Sequence, residues 1–210
     1  MGKKVLGVFG GLLMALFLLS AEAGAGAEET EMVDPGGLYL GADLIIAFPG
    51  ADLRGDFAEV DPGAGWGVKI GYHFPIRLAV EAELGLTGHQ VEGEDAGNGF
   101  FVVGLRYFPV RLSFSDRPLY PYFRLGIGRY ALVIENVQDG FGRREDLKLT
   151  GRGFDAGIGF DFYLEKNISL EAGLTQRFVK YDDIDFLDSE LSQKVKGHMT
   201  SLSGGVKYHF

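Results

Sequence analysis

From residue 37 to the end, apolar and polar residues alternate with a period of two, in run after run. In Gly37 to Phe48 one phase holds Leu38, Leu40, Ala42, Leu44, Ile46 and Phe48, and the other holds Tyr39, Gly41, Asp43 and Ile45. Gly65 to Phe74 sets Trp66, Val68, Ile70, Tyr72 and Phe74 against Gly67, Lys69, Gly71 and His73. Leu78, Val80, Ala82, Leu84 and Leu86 then oppose Arg77, Glu81, Glu83 and Thr87, and Phe101, Val103, Leu105 and Tyr107 oppose Gly104 and Arg106. Four further runs centre on Phe123 to Ile127, Phe154 to Phe162, Ile168 to Leu174 and Leu202 to Phe210. Their polar phases carry Arg124, Asp155 and Asp161, Glu171 and Arg177, and Lys207. Period-two alternation marks a strand with a different environment on each side. Eight such runs of about ten residues are the per-strand signature of a transmembrane barrel.

The connections support the same reading. Pro75-Ile76 and Glu165-Lys166-Asn167 are short, and Pro109 to Pro118 is a longer join on the same side. Those on the other side, Pro49 to Ala64, His89 to Asn98, Glu135 to Thr150 and Asp182 to Gly197, read as long loops. Short turns at one end and long loops at the other characterise outer-membrane barrels, and an even strand count puts both termini at the short-turn end, the periplasm. The pattern therefore predicts an all-β fold, an eight-stranded antiparallel up-and-down transmembrane β-barrel over residues 37–210.

The N-terminus reads as a targeting segment. Lys3 and Lys4 precede an apolar stretch from Val5 to Leu19, and Ala21-Glu22-Ala23 and Ala25-Gly26-Ala27 both fit a small-residue cleavage site. The apolar stretch is shorter than the ~20 residues that span a bilayer as a helix. Residues 1–27 are expected to be a cleaved signal peptide, with 28–36 a short periplasmic lead-in. Composition narrows the rest. There is no cysteine, which removes disulfides, thiolate metal sites and a cysteine nucleophile. The 33 glycines suit close strand packing, and a net charge of −9 argues against nucleic acid as a partner.

Alternation alone does not say which face is outside, since a secreted lipocalin would turn its apolar face inward. Three features favour lipid outside. The apolar phase is too large to fit within eight strands, whose interior holds one set of side chains. The polar phase is rich in glycine. Aromatics gather near run ends, at Phe48, Trp66, Phe74, Tyr107, Phe162 and Phe210, as interfacial girdles require. The chain also ends in Gly205-Val206-Lys207-Tyr208-His209-Phe210, a terminal phenylalanine with Tyr208 and Val206 in its phase. With the eight runs and the leader, this resembles the small outer-membrane β-barrels, the group of the OmpA transmembrane domain, OmpX and OmpW. The resemblance implies a Gram-negative outer-membrane location. It also implies that Val206, Tyr208 and Phe210 act as the signal read by the outer-membrane assembly machinery. Unlike full OmpA, nothing follows the last strand, so no peptidoglycan-binding domain is expected.

The candidate chemistry lies in the polar phase. Asp43, Glu81, Glu83, Asp155, Asp161 and Glu171 face Lys69, Arg106, Arg124, Arg177 and Lys207 in a narrow interior. Buried charges must pair or be hydrated, so these eleven are expected to fill the lumen as a salt-bridge network, with pairing between neighbouring strands. The alternative is a narrow channel for small solutes. A third reading is a lipid-A-modifying enzyme, which the resemblance brings in. A hydroxyl nucleophile needs a base within reach, and His198 is followed two residues on by Thr200 and not by a serine, while His73, His89 and His209 have no serine at that spacing. No catalytic residue, cofactor or metal site is therefore assigned. The four long connections carry net charges of −3, −3, −1 and −3. Their densest acidic cluster, Asp182, Asp183, Asp185, Asp188 and Glu190, lacks the spacing of a calcium loop and reads as solvated surface. Expected partners are outer-membrane lipids, lipopolysaccharide and the assembly machinery.

Overall fold

The computed structural model describes residues 36–50, 60–91, 94–138, 144–186, 189–191 and 195–210. The expected signal peptide, and all of the lead-in but Gly36, lie outside these residues. Regular structure among them is entirely β: β1 (Gly37–Pro49), β2 (Gly63–Phe74), β3 (Leu78–Val91), β4 (Glu94–Tyr107), β5 (Leu112–Phe114), β6 (Arg117–Gln138), β7 (Arg144–Glu165), β8 (Ile168–Phe186), β9 (Ser189–Leu191) and β10 (Val195–His209). Leaving aside the three-residue β5 and β9, the other eight pair antiparallel in chain order, and β10 returns to pair β1. These eight strands thus close into a barrel. Tyr39 stands opposite His209 across the seam, and the Phe210 amide donates to the Leu38 carbonyl at 3.0 Å.

The register sets the tilt. Stepping from Phe48 across β10, β8, β7, β6, β4, β3 and β2 by paired residues returns to β1 at Leu38, ten residues from the start. A shear of that size over eight strands inclines the strands by about 40°, from a rise of ~3.3 Å per residue and a strand spacing of ~4.8 Å. The outward apolar runs, such as Trp66 to Phe74 on β2 and Leu170 to Phe178 on β8, cover about nine residues each. At that tilt they form a belt about 23 Å high, close to the ~25 Å apolar band of outer-membrane barrels. Facing is unambiguous: Leu84 and Leu105 are 49% and 55% exposed, while their neighbours Glu83 and Arg106 are 3% and 1% exposed.

Two expectations about the connections are corrected. Pro109 to Pro118 is not a plain join, because β5 folds back on β6 through a two-residue turn with Ser115 and Asp116 both at positive φ, 50° and 61°. Two successive residues at positive φ are the conformation of the hairpin turn that matches strand twist. The long connections are also partly strand. β3 and β4 stay paired from His89↔Ala96 to Val91↔Glu94, and β6 and β7 stay paired as far as Gln138↔Arg144. In these extensions the alternation continues but changes sign. Val91, Ala96, Leu132, Ile134, Leu147, Leu149, Val179, Tyr181 and Val195 point inward and are buried, while Glu135, Lys148, Arg152 and Lys180 point outward. The reason is the solvent. Once the strands leave the bilayer, water surrounds the barrel, so the outer face becomes polar and the inner face becomes a core.

Candidate functional site

The lumen is stacked in three layers. At the short-turn end, Tyr39, Ala79, Phe108, Tyr120, Tyr122 and Tyr163 form an aromatic floor. His73 lies 4.4 Å from Phe108 with the rings tilted, and His209 lies 4.9 Å from Tyr163, ring centre to ring centre. At the loop end, Ile45, Phe100, Val102 and the inward residues of the strand extensions form an apolar cap. Between them lie the charges. All eleven residues singled out from the sequence are buried.

Glu171 on β8 is the centre of this layer. Its carboxylate accepts from Arg106 Nη2 at 2.8 Å and from the Tyr122 hydroxyl at 2.7 Å. Lys69 lies 3.0 Å and Lys207 2.9 Å from its other oxygen. These donors come from β4, β6, β2 and β10, so one acid ties together five strands. Arg106 also donates to Glu81 at 2.8 Å, and the Tyr39 hydroxyl donates to that carboxylate at 2.7 Å. Lys207 bonds both oxygens of Asp161 at 2.7 and 2.8 Å, and Lys69 pairs with Asp43. Nearer the cap, Arg124 pairs with Glu83 and reaches Asp155 at 3.3 Å. Arg177 donates to Ser201 at 2.6 Å, lies 3.7 Å from Glu83 and stacks 4.1 Å from the Phe100 ring.

Arg106–Glu81, Arg124–Asp155 and Lys69–Asp43 join neighbouring strands, as expected, whereas the contacts of Glu171 with Arg106, Tyr122 and Lys69, and those of Lys207 with Asp161 and Arg124 with Glu83, do not. Arg106 and Arg124 are directly opposite each other on β4 and β6, and Asp161 faces Glu171 on β7 and β8. Like charges placed side by side are unfavourable. The lumen is narrow enough for side chains to reach past their neighbours, so the network combines neighbouring-strand and transverse contacts. Glycine makes the room: a Cβ on Gly159 would lie 2.4 Å from the Tyr122 hydroxyl, and one on Gly41 would lie 2.9 Å from the Lys69 stem. Six carboxylates, five cations and two tyrosine hydroxyls are thus buried together within one section of the barrel. At the loop-end mouth a pocket of about 20 Å³, lined by Pro49, His89, Asn98, His198 and Met199 among others, has room for about one water.

Two of the histidines are also held by hydrogen bonds. His89 bonds Thr87 Oγ1 at 2.8 Å and the Asp61 carbonyl at 3.0 Å. His209 bonds Ser169 Oγ at 2.9 Å and lies 3.4 Å from the Tyr163 hydroxyl. Linear spacing missed the Ser169 contact because it forms across the β8–β10 ladder. Ser169 is fully buried beside the aromatic floor. Of the acidic cluster near Asp182, the side chains of Asp185, Asp188 and Glu190 fall outside the description, and no group of three metal-ligating side chains occurs among the described residues. Val206, Tyr208 and Phe210 all lie on the outer face of the seam.

Known proteins carry the same architecture. The sequence profile of a family described as the outer membrane protein beta-barrel domain matches residues 11–210. No curated protein matches the chain. Among solved structures, Neisserial surface protein A superposes with a TM-score of 0.60 at 17% identity, over 83% of this chain and 97% of its own. The outer membrane protein OprG from Pseudomonas aeruginosa superposes at 0.54 with 18% identity, over 83% and 96%. At such identities the likeness is one of fold.

Proposed function

Because this chain belongs to the outer membrane protein beta-barrel domain family, we propose that it is a closed barrel with a structural and surface-interaction role in the outer membrane, and not a conduit. The observation that carries this reading is the convergence of Lys69, Arg106, Lys207 and Tyr122 on Glu171. Four donors from four strands occupy the centre of the lumen, with an aromatic floor below and an apolar cap above. An ion crossing this section would have to displace buried, mutually compensated charges, at a cost of several kcal/mol per uncompensated ion. The test is recording from the purified protein in planar bilayers. Conductance at the background level is expected; large, steady conductance overturns the closed-lumen reading and leaves the narrow channel in its place.

Export and assembly complete the proposal. Residues 1–27 act as a signal peptide, both termini lie in the periplasm, and Val206, Tyr208 and Phe210 present the aromatic face that the assembly machinery reads. The exposure of Tyr208 and Phe210, whose rings meet edge-on at 5.1 Å, supports a role as a recognition surface. Deleting Phe210 is expected to reduce the fraction of chains inserted in the outer membrane, and N-terminal sequencing of inserted protein is expected to begin between Gly24 and Glu28. Undiminished insertion of the truncated chain, or a retained Met1, counts against this.

A further inference from the structure

Just above the apolar belt, the outer wall carries a row of cations that the lumen network does not use. Arg129 on β6 is the cross-strand partner of Arg152 on β7, Arg152 of Lys180 on β8, and Lys180 of Lys196 on β10. All four side chains point outward and are exposed. Directly opposed like charges destabilise a sheet unless an anion lies between them. Among the described residues none of the four makes an ion pair within 4 Å. The acid nearest in sequence is the exposed Asp182, two residues beyond Lys180. On the other side of the barrel, the outward residues at the same level are Ala64, Gly88 and Gly99, which carry no charge. In a chain of net charge −9, the row concentrates four positive charges on one half of the wall.

We propose that Arg129, Arg152, Lys180 and Lys196 bind the phosphate groups of an outer-leaflet glycolipid, the lipid A part of lipopolysaccharide. The position decides for a lipid. The row immediately below is Ile127, Phe154, Phe178 and His198, with Phe154 and Phe178 stacked at 4.8 Å. An acyl chain lying against these rings ends where the cations begin. The rows also climb. At a strand tilt of about 40°, three strand spacings of ~4.8 Å raise Lys196 about 9 Å above Arg129. That is of the order of the headgroup depth of a bilayer leaflet, so the row meets anionic groups at successive depths. The two arginines can grip phosphate oxygens in bidentate fashion, while the lysines act as point charges.

This inference rests on the reading that the loop end faces the cell surface. The test uses the full chain purified and folded in detergent, titrated with lipid A bisphosphate and with dephosphorylated lipid A, with bound lipid counted by native mass spectrometry. The phosphorylated form is expected to bind at least tenfold more tightly. The combined variant Arg129→Gln, Arg152→Gln, Lys180→Gln, Lys196→Gln is expected to lose that difference while keeping the heat-modifiable gel mobility of a folded barrel. If the combined variant does not fold, Arg152→Gln and Lys180→Gln singly are expected to weaken binding at least threefold each. Equal binding of the two lipids, an unchanged affinity in the variants, or displacement by equimolar orthophosphate overturns the site. Orientation is read separately by labelling Glu135→Cys, exposed on β6 above the row, on intact cells with a membrane-impermeant maleimide. Absence of labelling places the row away from the outer leaflet and overturns the ligand, even where binding in detergent persists.

Discussion

Glu171 shows how much one residue can hold in this interior. A glutamine there would keep the shape and the acceptor for Tyr122, but would leave Lys69, Arg106 and Lys207 sharing one charge fewer. Breaking a buried ion pair from one side costs about 3–5 kcal/mol, because the remaining charge is stranded. Glu171→Gln is therefore expected to lower the unfolding free energy obtained from urea titration by an amount in that range, followed by gel mobility of unheated samples. Lys148→Ala, exposed on the outer wall, is expected to stay within ~0.5 kcal/mol of wild type. An equal effect of the two substitutions would mean that the network adds nothing to stability.

At the scale of the strand, glycine placement decides what the ladder can carry. Gly159 on β7 lies under Tyr122, and a Cβ there would also come 2.4 Å from the Ala172 carbonyl on β8. Gly97 on β4 has no atom within 4 Å of the same construction. Gly159→Ala is thus expected to displace the tyrosine from Glu171 and strain the β7–β8 pairing, while Gly97→Ala leaves the unfolding midpoint unchanged. Comparing the two midpoints checks the claim, since both substitutions are the same chemistry in a strand. A similar loss at both positions would point to strand propensity instead.

For the molecule as a whole, the barrel has two regimes. Within the lipid belt it is apolar outside and charged inside, and above the belt it is polar outside and apolar inside. The upper part behaves as a water-soluble barrel continuous with a membrane one. Leu149 belongs to its core, buried with Leu132, Ile134 and Val179. Leu149→Asp places an unpaired carboxylate in that core and is expected to cost about 2–5 kcal/mol, although the residue lies outside the bilayer. Loss of amide hydrogen-exchange protection in the upper halves of β6 and β7, with the belt still protected, is the accompanying observation.

The strand count, the antiparallel order and the outward face of the belt were legible in the sequence, because lipid on one side and a narrow interior on the other impose a strict period of two. That period also put residues such as Glu83 and Leu84 on opposite faces, and the structure has them there. What the chain did not reveal by itself was the level at which the environment changes. Leu147, Leu149 and Val195 continue the same alternation with its sign reversed, and a criterion of apolar residues outside reads them as loop. Nor could it reveal the partners within the lumen. Which carboxylate an arginine meets depends on the shear of the closed sheet, and shear is a property of all eight pairings together. The same closure brought Ser169 to His209 and aligned Arg129, Arg152, Lys180 and Lys196, residues scattered over 68 positions of chain. Local alternation is set residue by residue, whereas alignment across strands exists only once the barrel has closed.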